Sequence, residues 1–238
     1  MKPIVMINLK TYKQGTGKEG LALVKTIAKV AKDYDVEMVV CSQMADICRH
    51  SQICACESKE GGCTAFDSLG IEIYSQTIEP IKFGSNTGHE LPETIKEAGA
   101  VGTLLNHSEH RERIDHIESC ISRAREVGLK IVVCANTAHI AEAIAAFSPD
   151  FVAVEPPELI GGDVSVSKAK PELITDTVDK VNLVNKNVGV LVGAGIKNAE
   201  DLRIALKLGA RGVLLASGVV CSADPEGSLR GLLEGLKG

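Results

Sequence analysis

The chain has 238 residues, 45% of them hydrophobic and 3% aromatic, with no Trp and a formal net charge of -5. That length suits one large α/β domain or two small ones, with a core built from Ala, Val, Ile and Leu. The negative balance argues against a nucleic-acid or anionic-membrane surface, and no apolar run approaches the ~20 residues that span a bilayer.

The N-terminus Met1-Lys-Pro-Ile-Val-Met-Ile7 runs directly into a strand pattern without a small-residue cleavage site, so a cytoplasmic protein is expected. In that compartment the eight cysteines are expected as thiols or metal ligands rather than disulfides.

Apolar strand, loop and amphipathic helix alternate along the chain. Residues Pro3 to Asn8 form the first strand pattern, and Gly17 to Tyr34 a helix with Leu21, Val24, Ile27, Ala28 and Ala31 on one face. A second strand covers Val36 to Cys41, followed by a short helical turn from Ala45 to Arg49. Residues 51 to about 70 have no clear period. Strand patterns resume at Ile71–Gln76 and Val101–Asn106, with a helix at Leu91–Ala98 between them. Glu112 to Val127 reads as a helix with Ile114, Ile117, Ile121 and Ala124 at helical spacing. Leu129–Cys134, Phe151–Val154, Val188–Gly193 and Gly212–Leu215 complete the strands. Helices over Thr137–Phe147, Pro171–Val184 and Ala199–Leu208 separate them, and Asp224-Pro-Glu opens the last helix.

Eight short strands, nearly all apolar, alternating with helices imply a parallel sheet covered by helices. Eight units predict an α/β fold closed as a (β/α)8 TIM barrel, one domain over residues 1–238. An open doubly wound sheet would bring a Gly-rich fingerprint after the first strand, and Asn8-Leu-Lys10 is not one.

In a barrel the chemistry lies where strands end. Those exits carry Lys10, His107 and Glu155, then the small residues Gly193-Ala-Gly195 and Ala216-Ser-Gly218. Phe151-Val-Ala-Val154 stops at the carboxylate Glu155, and Pro156-Pro157 forces the chain out of the sheet before Gly161-Gly162 frees it again. A base beneath a hinged lid has this anatomy, although an ordinary strand-to-helix connection with a solvated Glu fits it too. Glu155 could abstract a proton and His107 could polarise a carbonyl, while Lys10 supplies charge for an anionic ligand. The small residues after the last two strands can expose backbone N–H groups to a phosphate. Against that, a lone Lys is usually solvated and a lone His usually a satisfied loop residue; the histidines at 50, 89, 110, 116 and 139 are assigned to the latter.

These motifs resemble the triosephosphate isomerase family, in its compact archaeal form. Asn8-Leu-Lys10, Asn106-His-Ser-Glu109, Glu155-Pro-Pro-Glu-Leu-Ile-Gly161, Gly193-Ala-Gly195 and Ala216-Ser217 occur in the family's order over nearly the whole chain except residues ~50–70. The resemblance implies interconversion of dihydroxyacetone phosphate and D-glyceraldehyde 3-phosphate in glycolysis and gluconeogenesis, without a cofactor or a metal in the site. Glu155 would take the carbon-bound proton, neutral His107 would stabilise the enediolate, and Lys10 and Asn8 would bind substrate charge and oxygens. Amides of Ile160, Gly161, Gly195, Ala216 and Ser217 would hold the phosphate. Family members pass the loop here at Gly84-Ser-Asn-Thr-Gly88 to a neighbouring subunit, which implies a homodimer or homotetramer.

Three features depart from the family pattern. The lid's far hinge reads Gly161-Gly162-Asp163 in place of Gly-Thr-Gly, putting a carboxylate near a phosphate dianion unless it turns to solvent. His110-Arg111 replaces a pair of arginines, and the insertion at about 51–70 brings Cys54, Cys56 and Cys63 close to Cys48. Thiols at that spacing could hold zinc or an iron–sulfur cluster, form a disulfide or stay free; the paired C-x2-C spacing of a metal site is absent. A tetrulose-phosphate isomerase, or a weakly active phosphometabolite-binding, redox- or metal-sensing homologue, is the alternative.

Overall fold

A computed structural model describes residues 2–52, 70–156 and 171–237. Its strands are β1 (Ile4–Asn8), β2 (Glu37–Ser42), β3 (Ile71–Ser75), β4 (Gly102–Leu105), β5 (Lys130–Ala135), β6 (Phe151–Val154), β7 (Gly189–Gly193) and β8 (Gly212–Leu215). All pair in parallel in chain order, and β8 returns to β1 through the register Ile4↔Gly212 to Ile7↔Leu215, closing a (β/α)8 barrel. Around it lie α1 (Gly17–Ala31), α2 (Met44–Ser51), α3 (Pro92–Glu97), α4 (Ile114–Val127), α5 (Ala138–Ala145), α6 (Pro171–Val184), α7 (Ala199–Lys207), α8 (Ser217–Val220) and α9 (Pro225–Leu233).

The strands are apolar on both faces because each face meets a different core. Ile4 and Met6 point into the barrel with Val39, Cys41, Tyr74, Leu104, Val132, Cys134, Ala153, Leu191 and Leu214. Val5 and Ile7 point outward and pack with the helices in the larger layer. Tyr74 is the large side chain of the inner core, and its partner across the ladder is Gly102. A Cβ at Gly102 would sit 2.5 Å from the Tyr74 ring, so β4 opens with the residue that leaves room for it.

Helix starts follow their capping residues: Thr137, Asn198 and Asp224 accept backbone N–H groups from Ile140, Asp201 and Gly227. Gly128, at φ 73, ends α4 in the left-handed conformation that a side chain would disfavour. Two elements differ from the sequence pattern. The α2 helix spans eight residues rather than a short turn. Tertiary contacts hold it: Asp46 accepts the N–H of Gly17, and the Ser51 hydroxyl donates to Ala98 O. Ile114 is 54% exposed at the start of α4, so the buried stripe begins at Ile117. Among the described residues, no helix is long and apolar enough to cross a membrane.

Candidate active site

The strand exits of one barrel end carry three non-glycine residues in the left-handed region: Lys10 at φ 48, Asn106 at φ 58 and Ala194 at φ 77. Each costs about 1 kcal/mol or more in backbone strain, so local bonds must hold it. Beyond β1, the Lys10 N–H donates to Asn8 Oδ1 at 2.9 Å. Its ammonium meets Glu109 Oε1 at 2.7 Å, with the lysine side chain 13% exposed. Lys10 is therefore not a solvated charge.

Beyond β4, Asn106 is fastened on three sides. Its carboxamide donates to Cys134 O and accepts the N–H of Glu112, and its carbonyl accepts from Arg111 Nη1 at 2.8 Å. The next residue, His107, is thereby aimed inward and buried. The backbone N–H of Glu109 donates to His107 Nδ1 at 3.2 Å. A ring nitrogen that accepts an N–H carries no proton, so this neutral imidazole has its hydrogen on Nε2. That nitrogen lies 3.6 Å from Glu155 Oε1.

Glu155 continues the β6 ladder by one residue, its N–H donating to Ala135 O at 2.8 Å, and the residue is 4% exposed. It runs across β7 at Gly193, where a Cβ would come within 2.5 Å of Glu155 Cγ and 2.8 Å of Oε1. Beside it on β5, burial first and the neighbouring Glu155 carboxyl second push the Cys134 thiol well above the usual cysteine range. Glu155 Oε2 is buried with no hydrogen-bond partner among the described residues. An acceptor left open in a pocket can take a proton from a ligand.

These groups face one cavity, lined by Asn8, Lys10, Tyr12, His107 and Glu155 on one side. Residues 194–197 and 214–218 line the other, with Lys197 among the small residues Ala194, Gly195, Ala216, Ser217 and Gly218. The short α8 starts at Ser217, where the sequence pattern suggested only a loop.

Lys10, His107, Glu155, Asn8, Gly195, Ala216 and Ser217 are thus brought together from five strand exits. Ile160 and Gly161 of the expected phosphate grip, the lid with Asp163, and Cys54, Cys56 and Cys63 lie outside the described residues. Cys48 is exposed with its thiol beside Gln52 Nε2. Among the described residues, no group of three His, Cys, Asp and Glu side chains could hold a metal ion. Sequence reasoning gave no role to Glu109 or Gln76, and it noted Arg111 only as what remains of a family pair of arginines; Glu109 carried a signal through its motif, and Gln76 carried none.

A sequence model of triosephosphate isomerase matches residues 3–229. The chain belongs to the triosephosphate isomerase family. It is 43% identical over 231 residues to the triosephosphate isomerase of Methanosarcina acetivorans, covering 97% of each chain. With the triosephosphate isomerase of Methanocaldococcus jannaschii the identity is 42%, covering 97% of this chain and 99% of that one. A crystal structure of triosephosphate isomerase from Bartonella henselae superposes with a TM-score of 0.69 at 19% identity, covering 92% of this chain and 94% of that one. That structural likeness extends the triosephosphate isomerase barrel to a distant sequence and concerns the fold.

Proposed function

We propose that this chain interconverts dihydroxyacetone phosphate and D-glyceraldehyde 3-phosphate in glycolysis and gluconeogenesis, with Glu155 as base, His107 as electrophile and Lys10 and Asn8 as substrate ligands. The observation that carries the reading is the pair at 3.6 Å: a buried carboxylate facing the Nε2 of a neutral imidazole whose other nitrogen is already occupied.

The steps follow from that pair. Glu155 removes a proton from C1 of the ketose, and the electron pair moves onto the C2 oxygen, giving the enediolate. The His107 Nε2–H donates to the oxygens as charge develops, and a neutral donor leaves no strong acid beside the intermediate. After a proton passes from the C1 oxygen to the C2 oxygen, the glutamic acid returns its proton to C2 and the aldose forms. The Lys10 ammonium adds positive charge to a pocket that also holds carboxylates, and the backbone of Gly195, Ala216 and Ser217 offers N–H donors to the phosphate. Ile160 and Gly161 complete that grip in the proposal.

One domain over residues 1–238, working in the cytoplasm as a homodimer or homotetramer, completes the reading. Phe83, 74% exposed on the arm between β3 and α3, supports the oligomer, since a large apolar side chain held in water gains from a partner surface. Sedimentation giving a monomer would remove that part. The activity itself is tested by a coupled assay with D-glyceraldehyde 3-phosphate. Turnover to dihydroxyacetone phosphate is expected; a protein that binds phosphate but does not turn the aldose over would be a binding homologue, and the proposal would fall.

A further inference from the structure

We propose that Gln76, the first residue beyond β3, is a positioning residue for this pocket: its carboxamide holds the strained peptide of Lys10 and the amide orientation of Asn8. The proposal rests on the reading of Lys10 and Asn8 as substrate ligands.

One nitrogen, Gln76 Nε2, donates to Lys10 O at 3.0 Å and reaches Asn8 Oδ1 and Cys41 O at 3.3 Å each. Its two hydrogens therefore tie the exits of β1, β2 and β3 together. Lys10 sits at φ 48, and both polar groups of its backbone are held by side chains: the N–H by Asn8, the carbonyl by Gln76. Loss of the second hold lets the backbone relax toward ordinary φ and swings the ammonium away from its place. The same device recurs beyond β4, where Arg111 holds the carbonyl of left-handed Asn106 ahead of His107.

Asn8 gains a second constraint. Two donors, Lys10 N and Gln76 Nε2, converge on its Oδ1, which fixes the oxygen on their side and turns Nδ2 the other way. Asn8 lines the pocket, so it presents an N–H donor to a substrate oxygen rather than a second acceptor. Gln76 does not line that cavity itself; it borders a separate one with Gln43, Met44 and Glu90, so it acts through its neighbours.

The test is a double-mutant cycle on the purified enzyme with D-glyceraldehyde 3-phosphate. Gln76→Met keeps the length and removes the donors. Acting through Lys10 and Asn8, it lowers kcat/KM by about ten- to a hundredfold, and by a clearly smaller factor, the Asn8 share alone, when Lys10→Met is already present. Melting temperature and oligomeric state are followed alongside. Gln76→Glu retains one O–H donor only when protonated, so its kcat/KM recovers as pH falls, on a limb the wild type lacks. Factors that simply multiply in the double variant, a Gln76→Met enzyme within twofold of wild type, or a Gln76→Glu profile superimposable on wild type would overturn the inference while leaving the site reading intact. A harmless Lys10→Met would overturn the site reading and this inference with it. If Gln76→Met fails to fold, the Gln76→Glu profile decides alone.

Discussion

The exit of β4 and the last turn of α2 each contain a buried histidine, and the two differ in what faces Nε2. His107, 8% exposed, has Nδ1 occupied by the Glu109 N–H and Nε2 aimed at Glu155 across an open pocket. His50, 0% exposed on α2, pairs Nδ1 with the Ser42 hydroxyl at 2.8 Å, and its Nε2 has no partner among the described residues. That nitrogen abuts the α1 backbone, where a Cβ at Gly20 would be 3.3 Å away. Burial pushes His50 down to about 4, while Asp46 pulls it back up and Arg49 opposes that. Burial and an occupied Nδ1 are common to both regions, so neither marks a functional histidine. A carboxylate and a cavity in front of the free nitrogen do.

If that contrast holds, His107→Gln should give the largest effect. Its amide cannot reproduce a fixed imidazole donor, so kcat should fall on the order of 10²-fold while the fold persists by circular dichroism. A decrease under threefold would erase the contrast. A change that touches neither histidine sharpens it next. Gly193→Ala puts a methyl against Glu155 and displaces the carboxylate from His107, so kcat should drop about tenfold with KM little changed. An unchanged kcat would mean that the carboxylate's place is not set by β7.

The smallest effect on turnover belongs to the other histidine. His50→Gln should leave kcat within twofold and act on stability alone. In the folded chain His50 resists protonation down to about 4, whereas the unfolded chain takes up that proton near 6.5. Its contribution is therefore complete above pH 6.5 and is lost as pH falls toward 4, by about 3 kcal/mol in all. Denaturant titrations over that range should show the loss in wild type and a flatter curve in His50→Gln. Parallel curves would place the acid sensitivity elsewhere.

Much of this was legible in the sequence because strands buried on both faces read as unbroken apolar runs. Phe151–Val154 and Gly212–Leu215 match the observed strands at both ends. Glu155, His107 and Lys10 were legible for the related reason that each lies within three residues of the end of such a run. What stayed hidden depends on the third dimension. Gln76 reaches Lys10 across 66 residues, and nothing near either residue signals it. Left-handed Lys10 and Ala194 carry no local mark, since the usual glycine is absent and only the fold imposes the conformation. The burial of His50 stayed hidden because Ser42 on β2 and Gly20 on α1 build its surroundings, and no spacing within α2 announces them.

The central claim is that Glu155 moves a carbon-bound proton. It is tested most directly by running the reaction from D-glyceraldehyde 3-phosphate in deuterium oxide and reading deuterium at C1 of the dihydroxyacetone phosphate formed. A carboxylate base exchanges its captured proton with solvent, so wild type should incorporate deuterium during turnover. Glu155→Asp, which withdraws the carboxylate by about one methylene, should slow turnover and incorporation together by on the order of 10²-fold or more. Turnover with no deuterium at C1, or a Glu155→Asp enzyme that incorporates it at the wild-type rate, would contradict the account.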